Sequence, residues 1–569
     1  MKPTNIEPLK NQHYNIIKDE KLVSSFQWEN LNESFTWHDT DKVNMAHECV
    51  DRHVDDGYGD KVAFHYIEGE IEQKITYNEL KRETDHWATI LKHHGVKKGD
   101  IVFVFLPKHP HCHIAILAAI KLGAIVGPLF EAFMEDAIRD RIQDCDGQFL
   151  VTSSDFINRV PLKSLPSLEK VFLTDEGSAE IQTVQIQKEK ERLAANSAIT
   201  QWVELDDGLN IHYTSGSTGH PKGIIHAHRV MIQQYITGRW VLDLQEEDVY
   251  WCTAHPGWVT GTVYGLFAPL LNRATIVIHG GRFNADSWYS TIEKAGVTVW
   301  YSAPTAFRML KSQGFEALSN YNTTSLRHVL SVGEPLNPEV IYWGLDVFQL
   351  RIHDTWWMTE TGAQLIVNLP TTAIKPGSMG KPIPGIAVEI VDDEGETLAI
   401  GEVGHLAIQA PWPSLMKEVW KNKEKFDSYF TTNGKWYLSG DLAIKDEDGY
   451  IFFQGRSDDM INSSGERIGP FEVESKLMVH KAVAEAGVIG KPDPVRGEIV
   501  KAFLVLAKGF QATDALLEEI RLFVRSELAA HAAPREIEVI EELPKTKISG
   551  KILRRELKAR ELEKIAITS

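Results

Sequence analysis

The run Tyr213–Gly223 reads Y-T-S-G-S-T-G-H-P-K-G, and seven of its eleven residues are Gly, Ser or Thr. Glycines let a backbone close around an anion with no Cβ in the way. The hydroxyls of Thr214, Ser215, Ser217 and Thr218 add donors to the backbone N–H groups of Gly216 and Gly219, and Lys222 ends the run with a positive charge. That chemistry suits a polyphosphate. The spacing differs from the nucleoside-triphosphatase loop G-x-x-x-x-G-K-[ST]: five residues on from Gly216 stands Pro221, and five on from Gly219 stands Ile224. Apolar residues flank the run, Leu209 to Tyr213 before it and Ile224-Ile225 after it, so one strand is expected to enter the loop and another to leave it.

The elements that would position such a loop read as an α/β fold. Helical spacing covers Tyr77 to His94 and Pro110 to Leu122, and Ile101 to Leu106 reads as a buried strand. Further short apolar strands are expected at Val171–Leu173, Thr275–Ile278, Val297–Tyr301 and His328–Val332. Strands alternating with helices imply βαβ units and a largely parallel sheet. Residues 1 to about 70 are polar and aromatic and are expected to wrap the rest. Beyond about Lys381, short strands separated by Asp-Asp-Glu-Gly, Thr-Asn-Gly and Asp-Glu-Asp-Gly turns predict a small β-rich subdomain. The expected division is a large N-terminal domain over 1–455, a hinge over 456–460 and a smaller, mobile α+β domain over 461–569.

Bulk properties exclude several function classes. At 569 residues the chain exceeds one ordinary core. Its formal net charge of −19 argues against nucleic-acid and anionic-membrane partners, so an anionic ligand must be held by local cations. Cys49, Cys112, Cys145 and Cys252 are widely spaced, which fits a reducing cytoplasm better than a disulfide framework. The N-terminus shows no apolar signal core, and Ile114 to Phe130, interrupted by Lys121, Gly123 and Gly127, reads as a buried helix–turn–strand rather than a membrane span. His109, His111 and His113 lie where a strand hands over to a helix, with no second ligand cluster, so no metal site is expected there. His47-Glu48 lacks the histidine spacing of a zinc protease.

The glycine-rich run resembles the phosphate loop of the adenylate-forming superfamily: acyl-CoA synthetases, firefly-type luciferases and peptide-synthetase adenylation domains. Five more segments match in order across nearly the whole chain beyond residue 50. V-G-E-P-L places Gly333, Glu334 and Pro335 against adenine by resemblance. H-D-T-W-W-M-T-E-T-G brings Asp354, Thr355 and Trp356 to the purine, Thr359 to the α-phosphate, and Glu360 to a Mg²⁺ ion on the phosphates. One carboxylate suffices for magnesium when phosphate oxygens and water complete its shell. Y-L-S-G-D-L resembles the ribose segment, with Asp441 accepting from both hydroxyls. G-R-S-D-D followed by I-N-S-S-G-E-R-I-G-P assigns Arg456 to ribose or phosphate, Arg467 to the α-phosphate and Asp458 to the swivel of the C-terminal domain. L-P-K-T-K-I-S-G-K offers Lys551 as the catalytic lysine, although this run is one residue longer than the usual L-P-K-T-x-S-G-K.

Within the superfamily, the chain is most similar to the short-acid enzymes, the acetyl- and propionyl-CoA synthetases. Trp357 matches the indole that closes their acyl pocket, and Trp258, Val259, Thr260 and Val332 match its other walls. The resemblance implies a two-step ligase using ATP and CoA with Mg²⁺: an acyl-adenylate and pyrophosphate first, then a thioester and AMP. Gly465 would pass the pantetheine thiol and Arg525 would meet the CoA nucleotide. An acetyltransferase and deacetylase acting on Lys551 are implied partners. The basic residues Arg554, Arg555 and Lys558 read as a solvated tail. A nucleotide sensor on an inactive scaffold is the competing class, and the joint presence of Glu360, Asp441, Arg456 and Lys551 argues against it. Trp357 is at odds with a luciferase pocket, and no carrier-protein segment is expected after Lys551.

Overall fold

The structure is a computed structural model and describes residues 3–10, 13–16, 25–38, 41–178, 181–215, 221–457, 459–463, 466–493, 496–545 and 552–568. Helix Tyr77–His93 begins where the sequence caps it. The Thr76 hydroxyl accepts the Glu79 N–H at 3.2 Å, and the Glu79 carboxylate accepts the Thr76 N–H at 2.8 Å. This reciprocal cap satisfies two amides at the helix start. Helix Pro110–Lys121 opens on proline, with the His109 ring accepting the His111 N–H at 3.1 Å. Its last residue, Lys121, is wholly buried and donates to Asp51 at 2.7 Å and to Asp85. Burying an ammonium is tolerable only because these carboxylates surround it.

Among the described residues, two large sheets organise the first three-quarters of the chain. The eight-stranded sheet runs Glu418–Val419, Pro221–Ala227, Gly208–Ser215, Ile125–Pro128, Ile101–Phe105, Phe149–Thr152, Lys170–Leu173, Thr183–Gln185. Gly208–Ser215 lies parallel to Ile125–Pro128 and pairs antiparallel with Pro221–Ala227, with Thr214 opposite Lys222. The flanks of the glycine-rich run therefore form a hairpin, as the apolar residues on either side of it predict.

The nine-stranded sheet runs Lys381–Pro382, Ile366–Val367, Ile352–Trp356, His328–Val332, Val299–Ser302, Val249–Cys252, Thr275–His279, Val62–Glu68, Ile71–Thr76. From Ile352–Trp356 to Val62–Glu68 every pairing is parallel. Here the expectation for the first 70 residues needs correction. Ile6, Asn15 and Trp28 do wrap, bonding to Ile374, Asp243 and Gly385. Val62–Glu68, however, is an internal strand, and its consecutive buried residues Ala63 to Ile67 reflect coverage on both faces.

One core joins the two sheets. Val102 and Val104, the helices through Leu91 and Ile116, and Phe64 and Ile276 of the far sheet belong to a single buried cluster. A four-stranded antiparallel sheet follows, Val388–Val391, Gly404–Gln409, Trp436–Lys445 and Ile451–Arg456, which is the expected β-rich subdomain. The last stretch builds another sheet on Gly497–Leu506, packed by helices Pro470–Leu477 and Asp514–Glu527. Val473, Val488, Leu504, Ile520 and Val524 give it a core separate from the others. Among the described residues no helix is long and apolar enough to cross a membrane. The four cysteines are unpaired and buried.

Candidate active site

The site forms beyond the carboxyl ends of parallel strands, where open α/β sheets take their ligands. Val332 ends the strand His328–Val332 and lies in register with Thr355 on Ile352–Trp356. Gly333 then turns with φ +91°, a conformation a Cβ would strain. Glu334, next along the chain before Pro335, accepts from Thr305 and from Arg308, both at 2.7 Å. Its carboxylate is thereby fixed on one side of the turn.

Past Trp356 the chain enters a loop whose carbonyls are held from behind. Trp412 donates to Thr361 O at 3.1 Å, Ser414 to the same oxygen at 2.6 Å, and Gln234 to Gly362 O at 3.1 Å. A Cβ on Gly362 would lie 2.0 Å from Ser414 O, so only glycine permits this approach. The backing presents Thr359 and Glu360 from a rigid turn. Glu360 is buried, and burial raises its carboxyl pKa, opposed by the Tyr429 hydroxyl that donates at 3.1 Å. Tyr429 in turn stacks on Tyr437, with centroids 5.6 Å apart and planes 13° from parallel.

Of the groups that the sequence assigns to the nucleoside, Trp356, Asp441 and Arg456 are joined directly. Asp441 accepts the Trp356 indole N–H at 2.8 Å on Oδ2 and Arg456 at 2.9 Å on Oδ1. Asp354 is buried, and burial pushes its pKa up to about 7, with the Thr355 N–H opposing this at 3.0 Å. The Thr355 hydroxyl donates to Ser331 O and meets the Tyr301 phenol, each at 2.7 Å. That side chain therefore bonds within the sheet.

The apolar side is built on Trp357. Its ring stands edge-on to Tyr264 at 5.1 Å, and it shares one hydrophobic cluster with Val332, against which Val259 packs. Thr260 follows Val259 on the short helix Val259–Thr262, whose cap is Trp258, and the Trp258 ring lies 5.6 Å from Phe130. A Cβ on Gly261 would fall 2.1 Å from His255 O, so this turn packs backbone on backbone.

Other candidates lie apart. Arg525, on helix Asp514–Glu527, borders a recess of about 590 Å³ with His480, Glu519 and Phe523. Gly216, Ser217, Thr218, Gly219, Asp458, Gly465 and Lys551 lie outside the described residues, as do the side chains of Ser215 and Arg467. The triplet His109, His111 and His113 bonds locally: His109 caps its helix, His111 meets the His109 ring edge-on at 4.4 Å, and His113 meets His109 O at 3.2 Å.

One reading of the basic tail is overturned. Arg554 is partly buried against the buried Glu474, donating at 2.6 and 3.0 Å, and reaches Asp459 at 3.4 Å. Burial disfavours its charge, but Glu474 more than compensates and holds its pKa up. Two participants escaped sequence reasoning, Tyr429 beside Glu360 and Arg308 beside Glu334. Neither sits in a motif; each reaches the site only through the fold.

Two sheet-built lobes, a hairpin flanking the glycine-rich run, Glu334 and Glu360 beyond the ends of two neighbouring parallel strands, and a C-terminal α+β unit with its own core fit an adenylate-forming enzyme. The chain belongs to the AMP-binding enzyme family, which matches residues 51–420, while the AMP-binding enzyme C-terminal domain matches residues 472–551. It is similar to the acetyl-coenzyme A synthetase of Bacillus subtilis (strain 168), 56% identical over 551 residues and covering 96% of each chain. The acetyl-coenzyme A synthetase of Rubrobacter xylanophilus is 41% identical, with 92% of this chain and 85% of that relative covered. Among solved structures, an acyl-CoA synthetase from Brucella canis superposes with a TM-score of 0.75 at 34% identity, over 96% of this chain and all of that one. An anthranilate CoA ligase holding anthranoyl-AMP superposes with a TM-score of 0.84 at 29% identity over 95% of this chain.

Proposed function

We propose that the chain is an AMP-forming acetate–CoA ligase, with propionate as the nearest alternative acid. The observation that carries the acid assignment is the Trp357 ring, edge-on to Tyr264 in one apolar cluster with Val332, against which Val259 packs; in this reading that ring closes the acyl pocket. Each extra methylene would have to displace packed atoms, at roughly 1–3 kcal/mol of overpacking. The two relatives named acetyl-coenzyme A synthetase support the same acid.

The first half-reaction brings two anions together, a carboxylate and the α-phosphate of ATP. Fixed donors and cations must meet the charge that develops on oxygen. In this reading the loop from Thr214 to Gly219 and Lys222 hold the polyphosphate, and Thr359 and Arg467 take the α-phosphate. Lys551 bridges it to the acid. Asp354 faces the purine beside Gly333, Glu334 and Pro335, while Asp441, held by Trp356 and Arg456, accepts from the ribose. Glu360 fits a hard divalent ion: it is a buried carboxylate whose charged form burial disfavours, beside a phosphate-binding hairpin. Magnesium held there would neutralise phosphate-oxygen charge.

The second half-reaction needs a thiol rather than Lys551. A swing of the C-terminal domain about Asp458 exchanges one face for another and opens a path past Gly465, with Arg525 meeting the CoA nucleotide. Acetylation of Lys551 would remove its charge and stop the first step, which is the basis for proposing an acetyltransferase and a deacetylase as partners. A cytoplasmic setting fits the four unpaired cysteines. CoA-dependent AMP release, measured with acetate, propionate and butyrate, tests the proposal. Acetate is expected to give the highest kcat/KM, and a preference for butyrate would refute the pocket assignment.

A further inference from the structure

Lys421, Lys423 and Lys425 stand at alternate positions on the segment leading to Tyr429. The first two are neutralised: Lys421 pairs with Asp146 at 3.0 Å, and Lys423 with Asp427 at 2.7 Å. Lys425 forms no ion pair with a carboxylate among the described residues. Its ammonium lies 4.4 Å from the Tyr429 ring centroid and donates to the Ser428 hydroxyl at 3.2 Å. Tyr429 donates from its own hydroxyl to Glu360 at 3.1 Å. Lys425, Tyr429 and Glu360 are thus contiguous.

The hairpin strand Pro221–Ala227 pairs antiparallel with Glu418–Val419, and the Trp420 N–H donates to Gly223 O at 2.8 Å, so Lys222 lies beside the start of the segment that carries Lys425. Burial holds the Lys425 pKa below its ordinary value, the Lys222 charge lowers it further, and Glu360 opposes both. Two ammonium groups on adjoining segments, beside a carboxylate in a chain of net charge −19, are favourable together when an anion lies between them. Lys222 already belongs to the polyphosphate hairpin, so the shared anion is a polyphosphate rather than the acid.

We propose that Lys425 binds the β- and γ-phosphates of ATP, and the pyrophosphate they become, together with Lys222. This rests on the adenylate-forming reading above. An ammonium on an aromatic face next to a tyrosine anchored by Glu360 has little freedom to lose on binding, which favours a specific contact. The contact exists only while pyrophosphate is present. Acyl-adenylate, AMP and CoA do not use it.

The test compares Lys425→Gln, which removes the charge, with Lys425→Arg, which keeps it. Lys425→Gln is expected to raise KM for ATP and for pyrophosphate about tenfold in acetate-dependent exchange, leave KM for acetate unchanged, and restore neither at low salt. CoA-dependent AMP release from supplied acetyl-adenylate is expected to stay within about twofold of wild type, which doubles as evidence that the variant folds, and Lys425→Arg is expected to recover most of the exchange. An unchanged pyrophosphate KM in Lys425→Gln, or equal loss of both half-reactions, would overturn the assignment while wild-type exchange persists. If wild type itself shows no acid-dependent exchange, the parent reading falls and takes this one with it.

Discussion

The Trp356 indole donates to Asp441 at 2.8 Å, joining the end of a parallel strand in the nine-stranded sheet to an antiparallel strand of the smaller sheet. With Arg456 on the other oxygen at 2.9 Å, the carboxylate is held from two sides, which in the proposed reading orients it before a ribose arrives. Donors aimed in advance cost no reorganisation when ligand binds.

Replacing Trp356 by phenylalanine keeps the apolar bulk and deletes this bond. A hydrogen bond to an ionised group contributes about 1.5–3 kcal/mol. KM for ATP is expected to rise roughly tenfold, with KM for acetate unchanged. Steady-state kinetics over both substrates decides it, and an ATP KM within twofold of wild type would show that Asp441 needs no such brace.

Trp357→Gly removes the ring that stands edge-on to Tyr264 and would open the proposed acyl pocket. The kcat/KM for butyrate is expected to rise while that for acetate falls, so that the order of preference reverses. Truncating a large buried aromatic also destabilises by about 3–5 kcal/mol, so the acid series belongs well below the variant's Tm. An unchanged acetate preference contradicts the pocket.

Asp354 supplies a pH signature. Burial holds its pKa at about 7, against 3.8 for a solvated group. Between those values the folded chain keeps a proton that the unfolded chain has lost, so stability falls as pH rises through the window and levels off above about 7. Asp354→Asn has no proton to lose there. Denaturant unfolding at a series of pH values is expected to show the variant gaining on wild type from about pH 4 to about pH 7. Parallel curves would mean that Asp354 ionises normally in the fold.

Much of this site is legible in the order of residues. The apolar residues on either side of the glycine-rich run announce the hairpin, because they are contiguous in sequence with it. What escapes notice is long-range. Tyr429 reaches Glu360 across 69 residues and Arg554 reaches Glu474 across 80, so neither pairing leaves a local pattern. Val62–Glu68 was hidden for a different reason. A strand covered on both faces loses alternation, and its histidine and tyrosine read as surface residues.

Arg554 follows from the same long-range logic. Arg554→Met would leave the buried Glu474 carboxylate without its bidentate partner. Removing one member of a buried pair typically destabilises by about 3–5 kcal/mol. Limited proteolysis is expected to cut the last hundred or so residues faster than in wild type, and adding Glu474→Gln is expected to restore part of the resistance. A variant as resistant as wild type would return Arg554 to the solvated surface.

The central claim is that this chain joins a small acid to AMP with a lysine the second step does not use. Acetate-dependent exchange of labelled pyrophosphate into ATP, run beside CoA-dependent AMP release from supplied acetyl-adenylate, measures the two steps separately. Wild type is expected to perform both, and Lys551→Ala to lose the exchange by at least about a hundredfold while keeping thioester formation. Exchange that ignores acetate in the wild-type protein, or a Lys551→Ala variant that loses both steps alike, would contradict the account.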